Sequence, residues 1–311
     1  MTPTRPCAAY PWSLIAPAWG ENRRTELVSA VVVTFHPDED VVTNLQALRP
    51  QTDHLIVVDN GSSAPELAPI LELGEAISYE LIENGENLGI ATALNIGVRR
   101  CLELGAEWIL LFDQDSQVTP GFTEAMVHAF LHSPWGKRLG TMTPVYIDMR
   151  SGASIPMTRA REGMEASMTS GSLYPAAIFR RFGFFRDELF IDVVDYEYSL
   201  RLRKAGMVIE ETDEAKLLHS PGTPHTYGVG RSVRFRSSNY SPMRRYYLER
   251  NKVWVSRHYI TAFPVFCLKL FYYSSKDFTK ILLVEKDKWR KARFFLRGTF
   301  DGMLNRMGRL P

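Results

Sequence analysis

The sequence predicts an α/β fold: a mostly parallel central sheet flanked by helices, with a basic helical extension behind it. Three observations predict this. β-Branched apolar runs, VSAVVVTF (28–35), HLIVVD (54–59) and WILLF (108–112), alternate with segments of helical periodicity. The connections between them are only a few residues long, the pattern of βαβ units with right-handed crossovers. The charge is also split. Residues 231–311 hold 19 Lys and Arg against 5 Asp and Glu, a net of +14, whereas residues 1–230 carry a net of −12. At 45% hydrophobic and 23% charged, the 311 residues have ordinary globular composition. That excludes a disordered chain, a collagen-like repeat and a disulfide scaffold.

Taken in order, MTPTRPCAAYPWSLIAPAWG and the residues up to 27 read as an irregular arm, without the continuous apolar stretch of a secretory signal. Val28–Phe35 is nearly all apolar, as a strand buried on both faces must be. Asp38–Leu48 reads as a helix with Val41, Val42, Leu45 and Leu48 on one face. His54–Asp59 is a second buried strand stopped by Asn60-Gly61. A polar helix near Pro65–Leu73, a short strand at Tyr79–Glu83, a helix over Ile90–Leu104 and a strand at Trp108–Phe112 follow. The second half opens on a loop-rich stretch, Tyr146–Ala166, and a small polar run, Thr169–Pro175. A short helix broken by Gly183 comes next. A further helix opens near Asp192 and runs to Ala205-Gly206, and Glu214–Leu218 reads as a strand. The expected division is an arm (1–27), a catalytic region (28–230, its nucleotide half about 28–120 and its acceptor half about 121–230) and a basic helical region (231–311).

In parallel sheets ligands bind beyond the carboxyl ends of the strands. Thr34, then Asp59 and Asn60, then Asp113 and Asp115 fall there, which predicts one acidic cleft. Neither GxGxxG nor GxxxxGK[ST] occurs, so no dinucleotide or ATP cradle is encoded in those forms. A phosphorylated ligand would then be held through a divalent cation, and alternate carboxylates after a buried strand suit a hard cation. The plainer role of Asp113-Gln114-Asp115 is to stabilise a turn. Cys7, Cys101 and Cys267 are far apart, without metal-ligand spacing. Their number and spacing fit a reducing compartment, and Cys101 and Cys267 read as buried small hydrophobes.

VVVTFHPD (31–38), VVDNGS (57–62), ENLGIATALNIGV (86–98), LLFDQDS (110–116) and FIDVVDYEYSLRLRKAG (190–206) together resemble the inverting family-2 glycosyltransferases of the GT-A fold over about residues 28–220. FDQDS, FIDVVDYEYSLR and YYLERN are most similar to the bacterial rhamnosyltransferase subgroup, which uses dTDP-L-rhamnose. The resemblance implies an enzyme needing Mn²⁺ or Mg²⁺. Its substrates would be a nucleotide-diphosphate sugar donor and a saccharide or polyprenyl-linked saccharide acceptor in bacterial surface polysaccharide synthesis.

Carried over residue by residue, the resemblance gives Asp59 the pyrimidine contact, where its plainer role is to cap the Asn60-Gly61 turn. Thr34, Asn87, Gly89 and Asn95 would line the nucleotide pocket. Asp113 would touch the ribose or a metal-bound water. Asp115 and His219 would hold the metal. Asp195 would be the catalytic base and Asp192 would bind the acceptor, the two sharing a helix face if the helix begins at Asp192. Arg250, ahead of Arg244, is the expected diphosphate contact in SPMRRYYLERN (241–251).

Residues 276–300 read as amphipathic, with Phe278, Leu282, Trp289, Ala292, Leu296 and Phe300 at helical spacing among Lys and Arg. That predicts an anionic membrane surface as partner and a cytoplasmic, peripheral location on the inner face of the cell membrane. The alternative is packing onto the catalytic region or a second subunit, a homo-oligomer through these helices. The best candidate for a spanning helix, Ile260–Tyr273, contains Pro264 and Lys269 and is too short. A nucleotidyltransferase could share the sheet but would want a Gly-rich basic loop where TFHPDED stands. A non-catalytic nucleotide-sugar-binding or membrane-scaffold protein would bind nucleotide without turnover. No nucleic-acid recognition motif accompanies the basic tail.

Overall fold

Strand β1 (Val28–Thr34) is buried at every position because it lies inside a sheet covered on both faces. It pairs in parallel with β2 (His54–Asp59) on one edge and β4 (Trp108–Asp113) on the other, and β2 pairs in parallel with β3 (Glu80–Glu83). Helices α1 (Asp40–Leu48), α2 (Ala64–Leu73) and α3 (Ile90–Glu103) make the crossovers. Strand alternation divides the core in two. Val31, Val33, Ile56 and Val58 pack with Ala91, Leu94 and Val98 of α3 on one face. Ala30, Val32, Leu55 and Val57 pack with Val41 and Leu45 of α1 and Leu67 and Ile70 of α2 on the other. The computed structural model describes residues 27–219, 225–229 and 233–310, so the arm expected over 1–27 lies outside it except for Leu27.

After β4 come β5 (Ser116–Val118), α4 (Phe122–Leu131), β6 (Leu139–Asp148), β7 (Ser154–Ile155), β8 (Ser172–Pro175), α5 (Ala176–Phe182), α6 (Val194–Lys204) and β9 (Val208–His219). Among the described residues nine strands form one sheet in the order β3-β2-β1-β4-β8-β6-β9-β5, with β7 on β6. β8 runs antiparallel to β4 and β6, and β6 parallel to β9. Most of the elements of this half are not legible in the sequence. β6 contains Gly140 and Pro144, residues that disfavour a strand locally, yet it is mostly buried. Register shifts between Leu139 and Thr141 and between Pro144 and Val145 absorb them.

Backbone strands β10 (His225–Val229) and β11 (Val233–Ser237) form an antiparallel pair. Three helices end the chain: α7 (Pro242–Tyr259), α8 (Pro264–Leu283) and α9 (Lys288–Met303). They do not stand apart from the sheet. Trp254, Val255 and Tyr259 of α7 and Phe266, Cys267 and Leu270 of α8 belong to the same apolar cluster as α3 and β1. Helix α9 crosses α7 closely through Gly298 and Gly302, where a Cβ would come within 2.4 Å of the Tyr246 carbonyl oxygen and 2.5 Å of that of Arg250.

Much of the tail's positive charge is engaged internally. Arg245 and Lys291 pair with the buried Glu285, and Lys252 with Asp277. Of the residues expected to form one amphipathic face, Ala292 is buried and Phe278 and Leu282 pack inward. Trp289, Leu296 and Phe300 stay exposed. The stretch is two helices with a break at 284–287, and its apolar residues divide between the interior and solvent.

Candidate active site

The carboxyl ends of β1 and β4 open on a cavity of about 340 Å³. Thr34, Asn60, Asn87, Gly89, Asp113, Asp115 and Phe190 line it, as do Gln114 and Arg244. Helices α1 and α3 lie on opposite faces of the sheet, so the chain beyond the ends of these paired strands leaves a crevice there.

Its floor is a polar scaffold. Asn60 is buried; its amide donates to Asn87 Oδ1 at 3.2 Å, and its Oδ1 accepts from the Leu88 amide at 3.0 Å. Asn87 Oδ1 in turn accepts from the Gly89 amide at 2.9 Å. Gly89 has φ +88°, and a Cβ there would meet Phe190 at 2.6 Å, so the start of α3 can lie this close to the opposite wall only as glycine. Gln114 holds the backbone of Phe35 through Oε1 at 2.7 Å, a role the sequence reading did not assign.

Two expected donor contacts are used inside the fold instead. Asp59 is buried and its carboxylate accepts from Thr34 Oγ1, the Gly61 and Ser62 amides and Ser62 Oγ, at 2.6–3.0 Å. It fastens the Asn60-Gly61 turn, the plainer of its two expected roles, and does not line the cavity. Asn95 is buried on α3 and exchanges hydrogen bonds with the Phe185 backbone amide and carbonyl at 3.0 and 2.8 Å, so it clips that loop and does not line the cavity.

Asp113 and Asp115 stand at the end of β4. Burial, and then the neighbouring Asp115 charge, push the Asp113 carboxyl up to about 6, with His219 and Arg244 opposing. Asp115 Oδ1 is shielded from solvent and has no hydrogen-bond partner, and His219 Nδ1 lies 3.7 Å from it. A serine relay joins the two carriers of this end: the Asp113 amide donates to Ser170 Oγ, Ser170 Oγ to Ser116 Oγ, and Ser116 Oγ meets His219 Nδ1 at 3.2 Å. Among the described residues no cluster of three or more His, Cys, Asp or Glu forms a closed metal cage. An orphaned carboxylate oxygen beside an imidazole nevertheless fits a divalent cation whose remaining ligands come from phosphate oxygens and water.

Across the cavity, the segment 190–193 is strained. Phe190, Asp192 and Val193 all have φ between +62° and +65°, unusual for residues with a Cβ. The helix begins at Val194, so Asp192 lies before it and does not share its face with Asp195, as expected from a helix opening at Asp192. Asp195 sits in the first turn of α6. Burial, with further repulsion from Asp192 and Asp113, pushes its carboxyl up to about 7, against the Tyr196 backbone N–H that holds it.

Arg244 and Arg250 of α7 have opposite fates. Six residues at 3.6 per turn set them about 120° apart around the helix. Arg244 lines the cavity and reaches Asp192 with two contacts, at 3.1 and 3.2 Å. Arg250 is fully buried and donates to the carbonyls of Gly308, Glu188 and Leu189. The expected diphosphate role of Arg250 is therefore corrected: its guanidinium has no path to the cavity. With Asn251, which donates to the carbonyls of Leu189, Ile191 and Asp192 at 2.7–2.9 Å, it clamps the strained segment in place.

The cavity gathers Asp113, Asp115 and Arg244; Asp192 and Asp195 are not among its lining residues, and Asp195 lies behind the wall, close enough to feel the Asp113 charge. Residues 29–182 match the family described as "Glycosyl transferase family 2". The chain is 28% identical over 296 residues to the dTDP-rhamnosyl transferase RfbF of Shigella flexneri, covering 89% of this chain and 95% of that protein. It is 27% identical over 250 residues to the galactofuranosyltransferase GlfT1 of Mycobacterium tuberculosis, covering 74% and 82%. Among solved structures, that of S. aureus TarS 1–349 in complex with UDP-GlcNAc superposes with a TM-score of 0.61 at 13% identity, over 89% of this chain and 81% of that one. GalNAc-T7 with UDP, GalNAc and Mn²⁺ gives 0.58 at 13% identity, over 91% of this chain but 57% of the other. At such identities these likenesses speak to the fold alone, which is GT-A-like.

Proposed function

Because the chain belongs to the family 2 glycosyltransferases and is thereby a sugar-transferring enzyme, we propose that it moves L-rhamnose from dTDP-L-rhamnose to a saccharide acceptor with inversion. The acceptor is a glycan or a lipid-linked saccharide of bacterial surface polysaccharide synthesis, met at the inner face of the cell membrane. The observation that carries the reading is the convergence of Asp113, Asp115 and Arg244 on one cavity, with the Asp195 carboxyl close enough to feel the Asp113 charge. Similarity along most of the chain to a dTDP-rhamnosyl transferase supports the donor. Similarity to the mycobacterial N-acetylglucosaminyl-diphospho-decaprenol L-rhamnosyltransferase, at 25% identity over 236 residues, supports the lipid-linked acceptor.

In this mechanism Asp195 takes the proton of the acceptor hydroxyl as that oxygen attacks the anomeric carbon in line. The bond to the diphosphate breaks on the opposite face, and nucleoside diphosphate leaves with the electron pair. Arg244 turns its fork from Asp192 to the diphosphate, where planar bidentate donors suit phosphate oxygens. Asp192, released, accepts from the acceptor. Asp115 and His219 would hold a divalent cation, which when bound offsets the negative charge of the leaving diphosphate.

A donor screen scored by nucleoside diphosphate release, with and without Mn²⁺ or Mg²⁺, tests the reading. Rhamnose-dependent, metal-dependent release is expected. Release only from a galactofuranosyl donor would favour the second reading, which rests on the galactofuranosyltransferase relatives. Nucleotide binding without turnover of any donor would point to a binding protein.

A further inference from the structure

A second concavity, of about 320 Å³, lies at the opposite end of the sheet, where β6 and β9 begin. Arg138, Arg161 and Arg203 line it against a single carboxylate, Glu162. It is a built site. Arg138 pairs with Glu162 and stacks over Trp135 at 5.4 Å. Arg203, half-buried, donates to the Glu165 carbonyl at 2.8 Å and lies over Phe263 at 4.7 Å. Arg161 stands exposed at the tip of a tight turn closed by Ala160 N–H to the Gly163 carbonyl. That turn is fixed to β9, because the Met164 amide donates to the Ile209 carbonyl at 2.8 Å and Gly163 is packed against the same carbonyl.

An apolar shoulder adjoins this pocket. Phe263 lines the pocket, and Lys269 of α8 reaches Glu165, the residue whose carbonyl Arg203 holds. The first turns of α8 are therefore beside the arginines. Val265, Leu268 and Tyr272, at i, i+3 and i+7, form one outward stripe, each 61–63% exposed, and Ile260 is exposed just before them. An excess of cationic forks next to a row of exposed large apolar side chains is the surface a peripheral protein turns to lipid.

We propose that this pocket seats the headgroup of an anionic phospholipid while the α8 stripe enters the acyl boundary. A free phosphate would use the arginines but leave the stripe without a role. The proposal deepens, and rests on, the reading of the chain as a transferase serving a membrane-borne acceptor. Helix α6 carries Arg203 near its end and Asp195 in its first turn, about 12 Å apart at 1.5 Å per residue. Phe266 of α8 packs edge-on against Tyr196, the neighbour of Asp195, at 5.7 Å. Lipid held at the pocket would thus bring a saccharide projecting from the bilayer within reach of the base.

The test is sedimentation of the full chain with phosphatidylcholine vesicles, with and without phosphatidylglycerol. Wild type should bind only when phosphatidylglycerol is present. Arg161→Gln should weaken binding roughly fivefold, the effect of one basic residue at an anionic surface. Val265→Gln combined with Leu268→Gln should weaken it further. Nucleoside diphosphate release from soluble donor should be unchanged in both, which also shows that they fold. Equal binding by wild type and variants overturns the proposal. So does equal binding to pure phosphatidylcholine, or loss that follows Arg290→Gln and Arg293→Gln on α9 instead. A dimer in solution that Leu268→Gln dissolves, with no vesicle binding, would show that a second copy covers the stripe. Vesicle binding as expected with no turnover of any donor would sink the transferase reading and leave the lipid site standing.

Discussion

Asp195 combines two properties that usually conflict, a raised pKa and a role that needs the ionised form. With its carboxyl at about 7 in the fold, against an ordinary value of 3.8, the base is ionised only above that value. Turnover should therefore rise with pH through about 7, and a flat profile across that range would exclude Asp195 as the titrating base. The linkage has the opposite sign. The folded state holds the proton more tightly than the unfolded one, so this group's stabilisation is present below the unfolded value and is lost as pH rises through about 7. Asp195→Asn should lose transfer by ~10²- to 10⁴-fold, keep nucleotide binding, and melt higher than wild type at alkaline pH, with the gap closing in acid. Arg244 and Arg250 should also separate. Arg244→Gln should raise the donor KM by ~10- to 100-fold with little change in melting temperature, for loss of a charge-assisted contact. Arg250→Gln should lose about 3 kcal/mol of stability in denaturant unfolding, because a buried charge-assisted network is broken and the carbonyls of 188, 189 and 308 each lose one donor. The reverse pattern would restore Arg250 to the donor site.

At the scale of elements, the close approach of α9 to α7 is made by glycine. Gly298→Ala would drive a methyl into the Tyr246 carbonyl, 2.4 Å from the ideal Cβ. It should cost about 1–3 kcal/mol, read from the denaturant midpoint, with no direct effect on the site. This crossing also bears on the basic tail. Removing everything after Ser275 would take α9 from α7, leave Tyr246 without its Asp301 partner and strip Arg245 of Glu285 and Lys252 of Asp277. Membrane attachment is therefore better examined by surface substitutions than by truncation. The strained segment before α6 has its own support, since the Asn251 side-chain amide donates to the carbonyls of Ile191 and Asp192 within it and of Leu189 just before it.

For the whole molecule, the cavity joins pieces from the first strand, the fourth strand, the segment before α6 and the first turn of α7. Nucleoside diphosphate with Mn²⁺ should therefore stabilise the entire fold, by about 2.7 kcal/mol at a hundredfold excess over Kd. A thermal shift that needs both ligands, and that vanishes with chelator or in Asp115→Asn, is the expected result. An undiminished shift in Asp115→Asn would remove that carboxylate from the metal site.

What the sequence determined by itself was local. The limits of β2 came directly from HLIVVD, and β1, β3, β4 and the crossover helices came within a residue or two, because buried parallel strands are continuous apolar runs and their helices keep a 3.6-residue period. Asp113 and Asp115 were legible for the same reason, each following such a strand, and Gly89 through the family resemblance. The tertiary structure decided what depends on distant partners. β6 and β8 exist because β4 and β9 flank them, although Gly140 and Pro144 argue against a strand locally. Asp59 and Asn95 face inward because distant or turn amides and hydroxyls claim their side chains. Arg244 and Arg250 occur in one motif with equal charge, and only the packing of α7 against the 188–192 backbone sends the second into the interior and leaves the first at the cavity. Side-chain chemistry is written in the residue, but the direction it faces is set by what packs against it, often many residues away in the chain.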